Sequence, residues 1–286
     1  MELSQKISLL FSEVFIGMIL VVVIPTALLG VVASGEISAL TLLGSMFLIG
    51  ILQVTPNVLN NYADWEIDRI NKKREMMHKH YKREALPLIA GVLILGTIPF
   101  FVYGNVYLKA AIIIAYFMLI NYNFLIKAKD VLFLNYAFIA LFYGPVAFAI
   151  GFFFSSSNLA LFESLLWMPI FIFCFNMGFA VIKDYGDIEG DKAERKMTLP
   201  VVIGKENTLV YQFVVITAVF GAMLYFALVK LNWKLSLLLI IPYLIAMYAM
   251  RLVISPKSRS AYSNASNIIR TNALLVMVIL ALYFLV

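Results

Sequence analysis

Val58-Leu59-Asn60-Asn61-Tyr62-Ala63-Asp64-Trp65-Glu66-Ile67-Asp68-Arg69-Ile70 is echoed 123 residues later by Val181-Ile182-Lys183-Asp184-Tyr185-Gly186-Asp187-Ile188-Glu189-Gly190-Asp191-Lys192-Ala193. Tyr62, Asp64, Glu66 and Asp68 recur as Tyr185, Asp187, Glu189 and Asp191. Five of the chain's six aspartates fall in these two copies, while the whole of its 286 residues is 63% hydrophobic and only 13% charged. Carboxylates this scarce and this concentrated mark a site, because a solvated loop has no need of the same spacing twice.

The composition belongs to a polytopic membrane protein, since too little polar surface remains to face water. A hydrocarbon core of roughly 30 Å needs about 20 apolar helical residues per crossing. Nine stretches meet that need, approximately 12 to 34, 37 to 58, 86 to 106, 108 to 126, 131 to 154, 160 to 182, 208 to 229, 233 to 253 and 268 to 286. The expected fold class is therefore all-α: nine transmembrane helices in two pseudo-repeated halves with cytoplasmic caps, forming a single domain over 1–286. The first run follows Lys6 and precedes Ala33-Ser34-Gly35, but it exceeds a secretory core in length and reads as an uncleaved span. Pro56, one turn before the first acidic segment, is expected to loosen the end of the second helix and turn the motif toward a cavity.

Charge sets the expected orientation. Of the 22 Lys and Arg, only Lys109, Lys230 and Lys234 fall on the side opposite the N-terminus. The positive-inside rule then places the N-terminus in the cytoplasm, the C-terminus outside the cell membrane, and both acidic segments on the cytoplasmic face. The net charge of +6 reflects this topology and anionic headgroups or substrates, with no call for nucleic acid. Cys174 is the only cysteine, which excludes a disulfide or thiolate cluster within the chain. The sequence carries no signal for oligomeric state.

Asn60, Asp64 and Asp68 are spaced four apart, so on a continuing helix they project from one face on successive turns. Asp187 and Asp191 repeat that spacing, with Asp184 one turn earlier. An unpaired carboxylate within lipid costs roughly 2.5 to 3.5 kcal/mol on insertion scales, so these residues imply a polar cavity with compensating charge. Mg²⁺ suits them, because it takes oxygen ligands from one or two carboxylates and completes its shell with substrate phosphates. Lys72, Arg74, Lys183 and Arg195 lie beside the acidic arrays, and together these groups read as a diphosphate clamp. His78 and His80 lack a thiolate partner or third ligand for zinc, and no P-loop pattern is present.

These residues resemble the UbiA superfamily of intramembrane prenyltransferases. Its members carry Asn-x-x-x-Asp-x-x-x-Asp after helix 2 and a second aspartate-rich motif after helix 6; here these are Asn60, Asp64, Asp68 and the run Lys183 to Asp191, followed by Thr198-Leu199-Pro200 and Gly204. The resemblance implies Mg²⁺ held at Asn60, Asp64, Asp68, Asp184, Asp187 and Asp191 on the diphosphate of an isoprenyl donor. It also implies a lipid-accessible tunnel for the donor's tail and substrate contacts from Tyr122 and Lys127, with Asn135 opening helix 5. The chain departs from the family at Asn60-Asn61, where Asn-Asp is usual. It also lacks the Arg-Pro-rich segment after the first motif and the Arg and Asn near the head of helix 1, where Ser12, Glu13 and Val14 stand.

The expected mechanism follows from charge, with Asp64, Asp68, Asp187 and Asp191 as the catalytic carboxylates that hold the ions offsetting charge on the departing diphosphate. The second motif is similar to that of archaeal members, which implies geranylgeranyl transfer to a glycerol-phosphate ether lipid. Other lipophilic acceptors remain open: aromatic quinone precursors, a chlorin or a carotenoid end group. A cation-coupled transporter and a non-catalytic binder of polyprenyl lipids are the rivals from other classes. Inverted transporter repeats put their sites near the bilayer midplane, whereas both motifs here lie at helix ends on one side.

Overall fold

In the computed structural model the chain is described over residues 19–66, 82–186, 188–193, 196–230, 233–254 and 260–285, and among these every regular element is helical. A short apolar helix, α1 (Val21–Ser34), leads into eight helices long and apolar enough to cross a membrane. These are α2 (Ala39–Ala63), α3 (Ala85–Tyr103), α4 (Val106–Asn123), α5 (Leu134–Ser155), α6 (Trp167–Gly186), α7 (Lys205–Lys230), α8 (Ser236–Ile254) and α9 (Asn264–Leu285). The expected first span, 12 to 34, is described only from residue 19, so the described residues hold eight helices of crossing length and this shorter one.

Local chemistry fixes several helix starts. Ser38 caps α2 through a reciprocal pair, its hydroxyl accepting from Thr41 N at 3.1 Å and its own N–H donating to Thr41 Oγ1 at 2.9 Å. Asn105 caps α4, accepting from Leu108 N at 2.9 Å, while its amide nitrogen donates to Phe153 O at 2.7 Å and ties α4 to the far end of α5.

The expectation for Pro56 is corrected. α2 runs through Pro56 to Ala63, and Asp64 closes it with its N–H on Asn60 O at 2.8 Å. Unpaired backbone groups are costly where no water can reach them, so a helix in a bilayer tolerates the single bond a proline removes rather than unwinding. The second copy departs from regular helix instead. α6 tightens into a 3-10 segment over Ala180–Gly186, and Ile188–Ala193 is a separate short helix, so Asp184 and Asp191 do not share one continuous helical face.

The two helices that precede the motif-bearing helices, α1 and α5, form the most extensive interhelical packing among the described residues. Glycines allow it: a Cβ on Gly151 would lie 1.8 Å from Ala27 O, and one on Gly30 would lie 2.2 Å from Phe148 O. Small residues at a membrane helix interface let backbones approach and gain dispersion contacts that apolar side chains, equally content in lipid, would not supply. α1 also packs on α2 and α9, so it joins the first half of the bundle to the last helix. Within α5 a π turn over Phe142–Val146 absorbs Pro145, whose missing N–H leaves an i−4 carbonyl without its ordinary partner. That turn displaces the register of α5 beside the cavity described next.

Candidate active site

The first motif lies where α2 ends. Asn60 is on the last turn and Asp64 is the residue after the helix. Across from them, the loop between α4 and α5 delivers Lys129, whose ammonium donates to Asn60 Oδ1 at 3.2 Å and pairs with Asp64 Oδ1 at 2.5 Å. Both partners are largely covered, with 15% of the Lys129 side chain and 28% of the Asp64 side chain exposed, so solvent screens this pair only partly. The loop's shape comes from two strained residues. Lys127 (φ 50) and Phe133 (φ 65) are non-glycine residues at positive φ, and they bracket a 3-10 turn over Ala128–Asp130. Such conformations cost on the order of 1–3 kcal/mol each and persist where the surroundings impose them. Here they aim Lys129 at the first motif.

The second motif is anchored by α5. Tyr136 is buried and donates its hydroxyl proton to Asp184 Oδ2 at 2.6 Å, while its oxygen accepts from Leu199 N at 3.0 Å. The preceding residue, Asn135, accepts from Tyr122 Oη at 2.9 Å. Two consecutive residues at the start of α5 therefore reach α4 on one side and the second motif on the other. Asp191 is also buried, accepts from Thr198 Oγ1 at 3.2 Å and has Lys196 Nζ at 3.9 Å. Tyr185 donates to Gln212 Oε1 at 2.8 Å, and Gln212 in turn donates to Gly178 O at 2.8 Å, fixing the 3-10 segment against α7.

Between α2, α4 and α5 lies a cavity of about 230 Å³. Gln53, Asn57 and Asn60 line it from one face of α2, with Tyr122 opposite and an apolar wall that includes Met118, Phe138 and Phe142. Gln53 is buried, and its Nε2 lies 3.4 Å from Tyr143 Oη, while its Oε1 has no hydrogen-bond partner. A buried amide oxygen without a partner costs about 1–3 kcal/mol, so among the described residues this wall carries an unmet hydrogen-bonding demand.

The structure thus brings Asn60 and Asp64 together, Asp184 into a hydrogen-bonded cradle, and Tyr122 to the cavity that Asn60 lines. Lys127 is exposed and serves the turn, while Lys129 reaches the carboxylate. Asp68, Lys72, Arg74, Asp187 and Arg195 lie outside the described residues, as does the side chain of Lys183. Among the described residues no three His, Cys, Asp or Glu side chains gather into a metal-binding group. The donors present are nonetheless amide and carboxylate oxygens, and an ammonium already sits between Asn60 and Asp64. That set fits a hard divalent cation.

A sequence model of the UbiA prenyltransferase family matches residues 22–272, a range that takes in both motifs and the cavity. The chain belongs to the UbiA prenyltransferase family. This UbiA-family chain is 28% identical over 262 residues to a digeranylgeranylglyceryl phosphate synthase of Methanocaldococcus jannaschii, covering 88% of this chain and 85% of that protein. It is 29% identical over 168 residues to the enzyme of the same name from Thermococcus sibiricus, a match that spans 57% of each. Among solved structures, a digeranylgeranylglyceryl phosphate synthase superposes with a TM-score of 0.71 at 20% identity, over 98% of this chain and 99% of that one. A UbiA homologue from Archaeoglobus fulgidus bound to GPP and Mg²⁺ superposes with a TM-score of 0.70 at 16% identity, over 94% of this chain and 99% of its own. The membrane prenyltransferase class expected from the paired motifs is the class the chain belongs to.

Proposed function

We propose that the chain, as a single domain, transfers a geranylgeranyl group from its diphosphate to a glycerol-phosphate ether lipid, at a site opening toward the cytoplasm. The observation that carries this is that the α4–α5 loop and the adjoining start of α5 each hold one acidic arm: Asn60 and Asp64 against Lys129 of the loop, Asp184 against Tyr136 of the helix. The curated relatives of digeranylgeranylglyceryl phosphate synthase name favour this acceptor class. The positive-inside bias favours a cytoplasmic N-terminus and an external C-terminus.

Asn60, Asp64 and Asp68 in the first arm, with Asp184, Asp187 and Asp191 in the second, would hold Mg²⁺, which supplies charge neutralisation for the diphosphate. Lys129 leaves Asp64 to donate to a phosphate oxygen, helped by Lys72, Arg74, Lys183 and Arg195. Tyr136 keeps Asp184 oriented throughout. When the allylic C–O bond breaks, its electron pair leaves with the diphosphate, and the acceptor's hydroxyl oxygen forms the new C–O bond. The hydroxyl proton passes to a carboxylate of the site. Tyr122, Phe138 and Phe142 exclude water and offer ring faces to the allylic cation.

The test is transfer by purified protein in detergent from radiolabelled geranylgeranyl diphosphate to a pool of candidate acceptors, with EDTA and an Asp64→Ala/Asp187→Ala double variant as controls. Metal-dependent, variant-sensitive transfer is expected, with the product naming the acceptor. Full transfer by the double variant would sink the mechanism.

A further inference from the structure

A second cavity, about 40 Å³, lies between α1, α5, α6 and α9. It shares Ile139 and Tyr143 with the larger cavity, so one layer of side chains separates the two. Besides Tyr143, its polar lining is Arg270, with Ser266 one turn earlier on α9 and Asn176 from α6. Ala180 and Ile182, from the segment that carries Asp184, also line it.

Arg270 stands about 9 Å inside the apolar span of α9, six residues from its start at a rise of 1.5 Å each. Its Nε is buried without a hydrogen-bond partner, and its Nη1 makes one long contact to Asn267 Oδ1 at 3.5 Å. A guanidinium is always charged and presents its donors in a planar fork suited to carboxylate or phosphate. Among the described residues no carboxylate pairs with this partly buried guanidinium, which leaves it donors for an anion. Asn176 adds amide donor capacity, using one N–H on Ile172 O at 2.9 Å, and Ser266 adds a hydroxyl. A water needs roughly 10–15 Å³ of such volume, so the cavity has room for three or four water-sized groups, the size of a phosphate head.

We propose that the Arg270 cavity binds the anionic phosphate of the acceptor lipid and makes Arg270 the residue that selects phosphorylated over neutral acceptors. This rests on the prenyl-transfer reading above. A phosphate seated there lies one side-chain layer from the cavity beside Asn60. The acceptor's free hydroxyl, a few bonds from its phosphate, can then pass Tyr143 toward the larger cavity while the diphosphate stays at the acidic arms.

The test compares an alkylglycerol phosphate with the matching neutral alkylglycerol, as ligands and as acceptors, using full-length protein in detergent. Arg270→Gln is expected to raise Kd and KM for the phosphate probe by about 30-fold, the size of losing one partner of a buried charge pair. The KM for geranylgeranyl diphosphate and kcat should stay within about twofold, as expected where only uniform binding of the other substrate is removed. Arg270→Lys should recover part of the loss, and Ser266→Leu, which fills the same cavity, should reproduce it if Arg270→Gln does not fold. Unchanged discrimination between the two probes in a folded Arg270→Gln would overturn the inference while leaving the transferase reading intact. A parent protein that binds the prenyl donor but neither binds nor prenylates the phosphate probe would overturn the proposed acceptor and this inference with it.

Discussion

Tyr136→Phe removes one oxygen and two hydrogen bonds. The donor bond to the Asp184 carboxylate, 2.6 Å long, belongs to the charge-assisted class worth about 1.5–3 kcal/mol. The bond accepted from Leu199 N, 3.0 Å long, leaves a buried N–H unpaired at a cost of about 1–3 kcal/mol. The second loss is paid in folding; the first also falls on the site, because Asp184 must then be oriented by the incoming ligand. An energy of 1.5–3 kcal/mol corresponds to roughly 10- to 150-fold in affinity, close to the 10- to 100-fold typical of residues that orient metal ligands. The assay is initial transfer rate against Mg²⁺ concentration at saturating donor, beside a melting curve of the same sample. Tyr136→Phe should need at least about 10-fold more Mg²⁺ for half-maximal rate. A variant that melts earlier yet shows the parent's Mg²⁺ dependence would refute the argument that Tyr136 positions Asp184 and leave it a purely structural tyrosine.

Asp191→Asn should reduce transfer by about 100-fold or more with folding retained, measured as rate and melting temperature together; removal of a charge-stabilising group is known to cost that much. Lys129→Gln should weaken geranylgeranyl diphosphate binding while Lys127→Gly leaves it unchanged, because Lys129 touches the motif and Lys127 only shapes the turn; equal effects in a donor-binding titration would contradict that division. Gly151→Ala should sharply reduce the yield of folded protein in size-exclusion chromatography, since its Cβ meets backbone 1.8 Å away, whereas Gly50→Ala has open space and should behave as the parent does.

The membrane crossings were legible because bilayer thickness demands long apolar runs, and that demand is written in composition. Their ends were not: the second apolar span, expected to end at 58, runs on as helix through Asn60 and Asn61 to Ala63, because backbone bonds matter more there than side-chain polarity. Asp64 and Asp191 could be singled out by scarcity and repetition. Lys129 could not, because its partner is 65 positions distant and the left-handed turn that aims it is built from a lysine rather than a signalling glycine. Tyr136 was one of 15 tyrosines in a chain rich in aromatic residues, and only its contact with Asp184 distinguishes it. Arg270 is one of the 19 Lys and Arg that the charge count leaves on the N-terminal side, and only the cavity around it sets it apart.

The ion pair between Lys129 and Asp64 bears on how the protein is made. Zinc fingers bring their ligands together only with the metal, so their folding waits on metal supply. Here the chain carries its own counter-cation at the first motif, and the helix end, the loop and the carboxylate can settle during membrane insertion without an ion from solution. On the proposed mechanism, metal loading then becomes an exchange of one positive partner for another, and biogenesis of the protein is separated from the supply of a divalent ion.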